Sequence, residues 1–186
     1  MDEFSYLSVL LSIILGLAIT QILKGFRGIL LARARVRVYW PVLAWAVLLL
    51  LIAVQSWWTM FGLRNIHEWS FLGFSVVLAQ TITLYMLAAI VFPDFFDEQI
   101  DLHRHYSDHT RWFFGLLILV ALVSLGKDLI LAGHLPDRSN CIFHASLIAM
   151  SMIAVFTRRE WFHKIFVATA LVAFVAYIAL LFAKLQ

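Results

Sequence analysis

Six long apolar segments follow one another along this chain, and nearly all of its charged residues lie in the short polar segments between them. A helix needs about 20 apolar residues to cross the hydrocarbon of a bilayer. In lipid only helices and closed barrels satisfy every backbone hydrogen bond, and these segments lack the strict alternation of barrel strands. The pattern therefore predicts an all-α, polytopic bundle of six transmembrane helices, at residues 6–23, 41–63, 71–92, 112–132, 141–156 and 166–182.

The composition agrees with a membrane class. Of the 186 residues, 63% are hydrophobic and 13% are charged, and the mean hydropathy is +0.93. A soluble domain is typically about half apolar and about a quarter charged. No segment has the composition of a separate soluble domain, so we expect a single transmembrane domain over residues 1–186.

Basic residues are distributed unequally between the two sides of the predicted bundle. One side holds ten of the 14 Lys and Arg residues and the other holds three, and such residues are retained on the cytoplasmic side. We therefore expect both termini outside and, because the loops are short, a plasma membrane of the bacterial inner-membrane type. The first residues lack the basic region and cleavage site of a signal peptide, so we expect the first helix to be retained.

Two adjacent charged residues, Lys127 and Asp128, lie inside a predicted span. A charge at such depth costs about 2.5–3.5 kcal/mol on insertion scales, so it usually faces a cavity or a partner. Lys127 could instead reach the interface with its long side chain, and Asp128 could belong to a structural ion pair. The other polar residues at similar predicted depth are Gln55, Gln80, Thr81, Ser124 and His144.

This polar set predicts a pathway for ions, protons or small solutes in the outer half of the bundle. The alternative for the Gln, Ser and Thr residues is hydrogen bonding between packed helices, and His144 could be an ordinary core histidine. Broken helices often build carrier sites, but no proline interrupts a predicted span. The pattern therefore favours a simple channel or a proton-linked switch over an alternating-access carrier.

The segment from Pro93 to His109 is rich in acidic residues and histidines. Written as a helix it is amphipathic, which predicts an interfacial helix on the cytoplasmic side after the third span. Asp101, His105 and His109 recur every four residues, a spacing at which Zn²⁺ or another first-row divalent metal could bind one helix face. A solvated acidic face, or a pH sensor based on the histidines, explains the same pattern.

Three arginines, Arg33, Arg35 and Arg37, form a basic cluster in the first predicted loop. Beside a membrane helix such a cluster attracts anionic lipid headgroups by about 1 kcal/mol per basic residue. Membrane topology already explains the cluster, so we expect no nucleic-acid binding. Small residues at four-residue spacing on the first span allow close helix packing, which favours a homo-oligomer.

Three functional classes remain open at this point. The first is the ion, proton or small-solute pathway. The second is a non-catalytic membrane subunit that anchors or docks a cytoplasmic partner through its charged loops. The third is a metal- or haem-containing membrane enzyme, which ranks last because the three cytoplasmic ligand candidates and His144 are predicted on opposite sides of the membrane. The sequence also has no nucleotide-binding, metalloprotease or serine-hydrolase motif. We therefore expect no catalytic residues, and no cofactor beyond the divalent metal considered above.

Overall fold

The computed structural model describes residues 3–66, 69–95 and 99–183, most of which belong to six α-helices. A 3₁₀ helix (Phe61–Asn65) and two short strands, β1 (Val36–Arg37) and β2 (Ile100–Asp101), lie between them. All six helices are long and apolar enough to cross a membrane. The helices are α1 (Glu3–Leu31), α2 (Trp40–Met60), α3 (Phe71–Ile90), α4 (Leu102–Ala132), α5 (Arg138–Phe156) and α6 (Glu160–Ala183).

Two helices extend well beyond their predicted boundaries. α1 ends at Leu31 instead of residue 23, and α4 begins at Leu102 instead of residue 112. The 31 residues of α4 are about 46 Å long at 1.5 Å per residue, whereas the hydrocarbon core is about 30 Å thick. The additional turns carry charged residues, which a helix accommodates readily where it leaves the hydrocarbon.

The separate interfacial helix predicted after the third span is not found in the described part of that segment. Residues 93–95 are irregular, β2 follows, and α4 starts directly after it, while residues 96–98 lie outside the described ranges. The carboxylate of Asp101 accepts hydrogen bonds from the backbone N–H groups of His103 (2.8 Å) and Arg104 (3.1 Å). Such an N-cap fixes a helix start, so the amphipathic pattern from Leu102 onward belongs to the first turns of α4.

The two strands join separate loops at one end of the bundle. β1 pairs in parallel with β2, with Val36 opposite Ile100 and Arg37 opposite Asp101. The guanidinium of Arg37 also lies 3.2 Å from the carboxylate of Asp101. We call this end, which includes residues 32–39, 99–101 and 157–159, the strand end. The opposite end, which includes residues 61–66 and 133–137, is called the far end.

The helices form a ring in the order α1, α2, α6, α5, α4, α3, and α2 also touches α3 and α4. Packing is close among α3, α4 and α5 and sparse between α5 and α6. The ring is therefore filled unevenly, and the space between α2, α4, α5 and α6 is left partly open.

Near the strand end, aromatic side chains fill the space enclosed by the helices. Trp45 of α2 is fully buried, and its ring meets those of Phe113, Phe114 and Phe166 with centroids between 5.2 and 5.7 Å apart. Edge-to-face contacts of this kind add to the gain from burying the rings. This packing ties α2, α4 and α6 together at one level of the bundle.

A buried hydrogen-bonded pair continues the same layer. The hydroxyl of Tyr106 lies 3.0 Å from Nδ1 of His163, and Nε2 of His163 lies 2.8 Å from the Thr157 carbonyl. A carbonyl oxygen can only accept, so Nε2–H donates to it, and in a neutral imidazole Nδ1 then accepts from the tyrosine hydroxyl. We call the following residues the aromatic layer: Trp45, Tyr106, Phe113, Phe114, His163 and Phe166.

Candidate functional site

A cavity of about 690 Å³ lies between α2, α4, α5 and α6, on the far-end side of the aromatic layer. Small-molecule sites in proteins usually enclose about 300–1,000 Å³. The deep wall of the cavity is apolar and includes Trp45, Leu117 and Phe166. Polar side chains line the part closer to the far end. We call the apolar wall the floor of the cavity, and the polar part closer to the far end its mouth.

Six of the seven residues predicted to line a pathway border this cavity. They come from α2, α3, α4 and α5, and they are Gln55, Gln80, Ser124, Lys127, Asp128 and His144. The seventh, Thr81, borders a second cavity of about 50 Å³ between α1, α2, α3 and α4, and its hydroxyl donates to the Leu78 carbonyl at 2.9 Å. Gln80 and Lys127 border both cavities. The structure therefore brings the predicted polar set together around two adjoining spaces.

The two charges at the mouth of the larger cavity lie close together. The Nζ atom of Lys127 is 3.6 Å from Oδ1 of Asp128, and the side chains are 21% and 28% exposed. Among the described residues, neither side chain makes a hydrogen bond to a third group. Consecutive helical residues point about 100° apart, so the two side chains leave α4 in different directions. Both nevertheless border the cavity, because the long stem of Lys127 allows its ammonium to bend toward Asp128.

His144 occupies the opposite wall, on α5. Its Nδ1 atom lies 2.9 Å from the carbonyl of Asn140, one turn earlier. Nδ1–H must donate in this contact, which leaves Nε2 of a neutral imidazole as an acceptor. His144 can therefore accept a hydrogen bond through Nε2 at the cavity wall.

Sequence reasoning missed several polar residues that line the cavity, among them Ser56, Thr59, Asn140, Thr169 and Tyr177. Asn140 precedes His144 by one helical turn, so the spacing alone could have placed both on one face. Tyr177 lies in the apolar span predicted at residues 166–182, and its ring stacks on that of Phe143 with centroids 5.9 Å apart. The hydroxyl of Tyr177 was the available signal, since a tyrosine within an apolar span needs a polar environment for that group.

The predicted metal ligands at the strand end are only partly brought together. The rings of His105 and His109 lie 4.4 Å apart, and their N–H groups donate to the carbonyls of Ile90 and His105. Asp101 faces the helix N-terminus and Arg37 instead. Within the described ranges no group of three His, Cys, Asp or Glu side chains is placed to hold one metal ion. Each of the two imidazoles has one ring nitrogen that makes no hydrogen bond to the part of the chain that the structure describes.

Local contacts explain the electrostatics of Asp101. Partial burial alone would raise the pKa of its carboxyl, but the backbone N–H groups of Arg104 and His103 and the Arg37 guanidinium together hold that pKa below its ordinary value. Arg33 and Arg35, the other two members of the predicted lipid-binding cluster, are exposed. The structure thus separates a paired arginine from two that face outward.

Comparison of this chain with protein-family models, with curated proteins and with solved structures finds no match. The interpretation of the cavity therefore depends on its own geometry and chemistry.

Proposed function

We propose that this chain is a multi-pass membrane protein that admits small solutes, ions or protons into the cavity between α2, α4, α5 and α6. The observation that carries the proposal is the convergence of polar residues from four helices on that cavity, with the Lys127–Asp128 pair at its mouth. Polar groups at this depth are costly unless they face water or a partner. A solute-binding site would explain why all of these polar residues border one cavity.

The aromatic layer defines how far a solute can travel. Its rings are buried and tightly packed below the cavity floor. A solute that enters from the far end would therefore stop at Trp45 and Phe166, so this conformation corresponds to a one-ended pathway closed toward the strand end. The excess of Lys and Arg at the strand end supports a cytoplasmic location for that end and an outward-facing cavity mouth in a bacterial inner membrane.

Flux through reconstituted protein tests this proposal. Proteoliposomes with wild-type protein are compared with matched vesicles that contain Asp128→Asn, and ion and proton fluxes are recorded over several pH values and voltages. We expect wild-type flux that the substitution abolishes, or whose dependence on pH and voltage it changes, because Asp128 is the one carboxylate among the described residues that line the cavity. Asp108→Asn is the matched control, since Asp108 is an exposed carboxylate on the same helix.

A docking subunit is the second candidate, favoured by the exposed arginines of the strand end. Arg33, Arg35, Arg104, Arg158 and Arg159 are all exposed there, and such a surface attracts anionic lipid headgroups or an acidic cytoplasmic partner. Absence of flux under every condition, together with vesicle binding that requires Arg33 and Arg35, would favour this candidate. In that case Lys127 and Asp128 would be a structural pair.

Association between copies is a further part of the proposal. Ser12, Gly16 and Thr20 lie on the outer side of α1, and a methyl group at Gly16 would have no described neighbour within 4 Å. Small residues on an outward surface permit close contact between helices of two copies. Cross-linking in native membranes would measure the oligomeric state.

A further inference from the structure

We propose that the cavity binds a zwitterion, a molecule that carries an ammonium and an anionic group close together on an apolar body. This inference rests on the proposed function and specifies the solute class for the same cavity. It starts from two opposite charges, Lys127 and Asp128, that border one space at a separation of 3.6 Å. A charge-assisted N–H···O bond is shorter, at about 2.7–2.9 Å. The two charges are therefore near each other without being locked together.

The balance of charge distinguishes ligand classes. The pair has no net charge, and it stands in a partly desolvated site where a charge without a partner is costly. A cation would satisfy Asp128 and leave the ammonium of Lys127 without its partner, and an anion would do the reverse. A zwitterion satisfies both, because its anionic group can approach Lys127 while its ammonium approaches Asp128.

The separation of the charges and the shape of the cavity restrict the ligand further. The two protein charges are a few ångströms apart, which suits an α-amino acid, whose ammonium and carboxylate are attached to one carbon. The deeper part of the cavity is apolar, with Leu117, Phe166 and Phe174 in its walls. A hydrophobic body attached to the charged head would therefore lie toward the aromatic layer.

Two sources could supply this chemistry. One is a soluble amphiphile such as an apolar α-amino acid, and the other is a lipid with a zwitterionic headgroup. Both carry an ammonium, an anionic group and an apolar body, so the structure supports the shared chemistry and binding experiments must separate the sources.

Equilibrium binding to purified protein in an uncharged detergent tests the inference. The soluble probes are L-leucine, L-phenylalanine and L-tryptophan, each compared with its N-acetyl form, which lacks the ammonium, and its methyl ester, which lacks the carboxylate. The lipid probes are lysophosphatidylethanolamine and, as its anionic counterpart, lysophosphatidylglycerol. We expect at least one zwitterion to bind saturably and to lose about tenfold or more in affinity when either charge is removed, because a hydrogen bond to a charged group is stronger than one between neutral groups.

Protein variants provide the complementary test. We expect Lys127→Met and Asp128→Asn each to weaken binding by about tenfold or more for the same reason. Asp108→Asn should leave binding unchanged, since the Asp108 carboxylate is 63% exposed at the strand end of the same helix. The comparison of ligand analogues uses wild-type protein alone, so it remains decisive even if a cavity variant fails to fold.

Each outcome has a defined meaning. Binding of an amino acid supports a soluble source, and binding of lysophosphatidylethanolamine alone supports a lipid source. Equal binding of the acetylated or esterified analogue, or no binding by any zwitterion, would overturn the inference. If zwitterions fail to bind but Asp128→Asn still changes ion or proton flux, the proposed pathway stands and only the solute class is wrong.

Discussion

The two ends of the bundle differ in how the space between the helices is filled. Near the strand end, Trp45, Phe114 and Phe166 fill the space between α2, α4 and α6 with buried rings. About four turns further along α4, Lys127 and Asp128 border a cavity of about 690 Å³ instead. The same helices thus pass from a filled layer to a hollow one.

The contrast separates structural residues from candidate functional ones. Buried rings gain free energy from removal of apolar surface and from close packing, so substitutions in the aromatic layer should mainly change stability. Lys127 and Asp128 lie 3.6 Å apart and partly exposed beside the cavity, so they contribute less close packing to the fold than the buried rings do. Substitutions there should mainly change what enters the cavity.

The largest expected loss of stability comes from Trp45→Ala. Replacement of this fully buried ring should lower the free energy of unfolding by about 3–5 kcal/mol, because it leaves a void among rings that cannot collapse completely. Unfolding in detergent, followed by near-ultraviolet circular dichroism, measures the change. Trp57→Ala is the control, since Trp57 of the same helix is 54% exposed. Equal losses for both variants would remove the distinction between the layer and the outer surface.

A second substitution tests the close packing of α1 at the strand end. A methyl group at Gly25 would overlap the ring of Phe92, whereas one at the exposed Gly115 of α4 meets nothing within 4 Å among the described residues. We expect Gly25→Ala to cost about 1–3 kcal/mol through overpacking. Gly115→Ala should be neutral or stabilising by up to about 1 kcal/mol, because glycine lowers helix stability. Thermal unfolding of the two variants under identical conditions measures the difference, and a Gly25→Ala protein as stable as wild type would contradict the packing.

Tyr106→Phe examines the polar pair within the aromatic layer. The substitution leaves Nδ1 of the buried His163 without its hydrogen-bond donor, at a cost of about 1–3 kcal/mol. Tyr85→Phe is the matched control, because among the described residues the Tyr85 hydroxyl makes only a long 3.5 Å contact, with the side-chain amide of Gln21. Chemical unfolding of both variants is the measurement. A larger loss for Tyr85→Phe would show that the pair contributes less than its burial indicates.

The smallest expected effect concerns pH and Asp101. Its folded-state pKa lies below the ordinary value, so the carboxylate contributes stability above the unfolded-state pKa and loses that contribution as pH falls through the folded-state pKa. Asp101→Asn should preserve the N-cap, since asparagine caps helices well, and should flatten the acid limb of the stability profile. Midpoints of thermal unfolding measured from neutral to acidic pH provide the test. An unchanged acid limb would assign the loss to other carboxylates.

Hydrophobic segments predicted the number and approximate positions of the helices because membrane spans need long apolar runs. The boundaries of α1 and α4 were predicted too short, since charges end an apolar run without ending a helix. The predicted separate interfacial helix is not found among the described residues, because the Asp101 cap starts α4 at Leu102.

Depth along the spans also anticipated which polar residues share the cavity, as Gln55, Asp128 and His144 show. It could not give the 3.6 Å separation between Lys127 and Asp128, because that depends on how a flexible lysine stem bends. Asn140 could have been found from its one-turn spacing to His144. The participation of Tyr177 depends on the rotation of α6 within the ring, which tertiary packing decides.

Thiol accessibility tests the central difference between the two ends most directly. The single natural cysteine, Cys141, is first replaced by serine, and a cysteine is then introduced by Ser124→Cys or Ser151→Cys. Ser124 borders the cavity and Ser151 is fully buried in α5 away from it. A membrane-impermeant thiol reagent added to the outside of intact cells should label Ser124→Cys rapidly and leave Ser151→Cys unmodified until the protein is denatured. Labelling of neither site, or equal labelling of both, would contradict a water-accessible cavity closed by the aromatic layer.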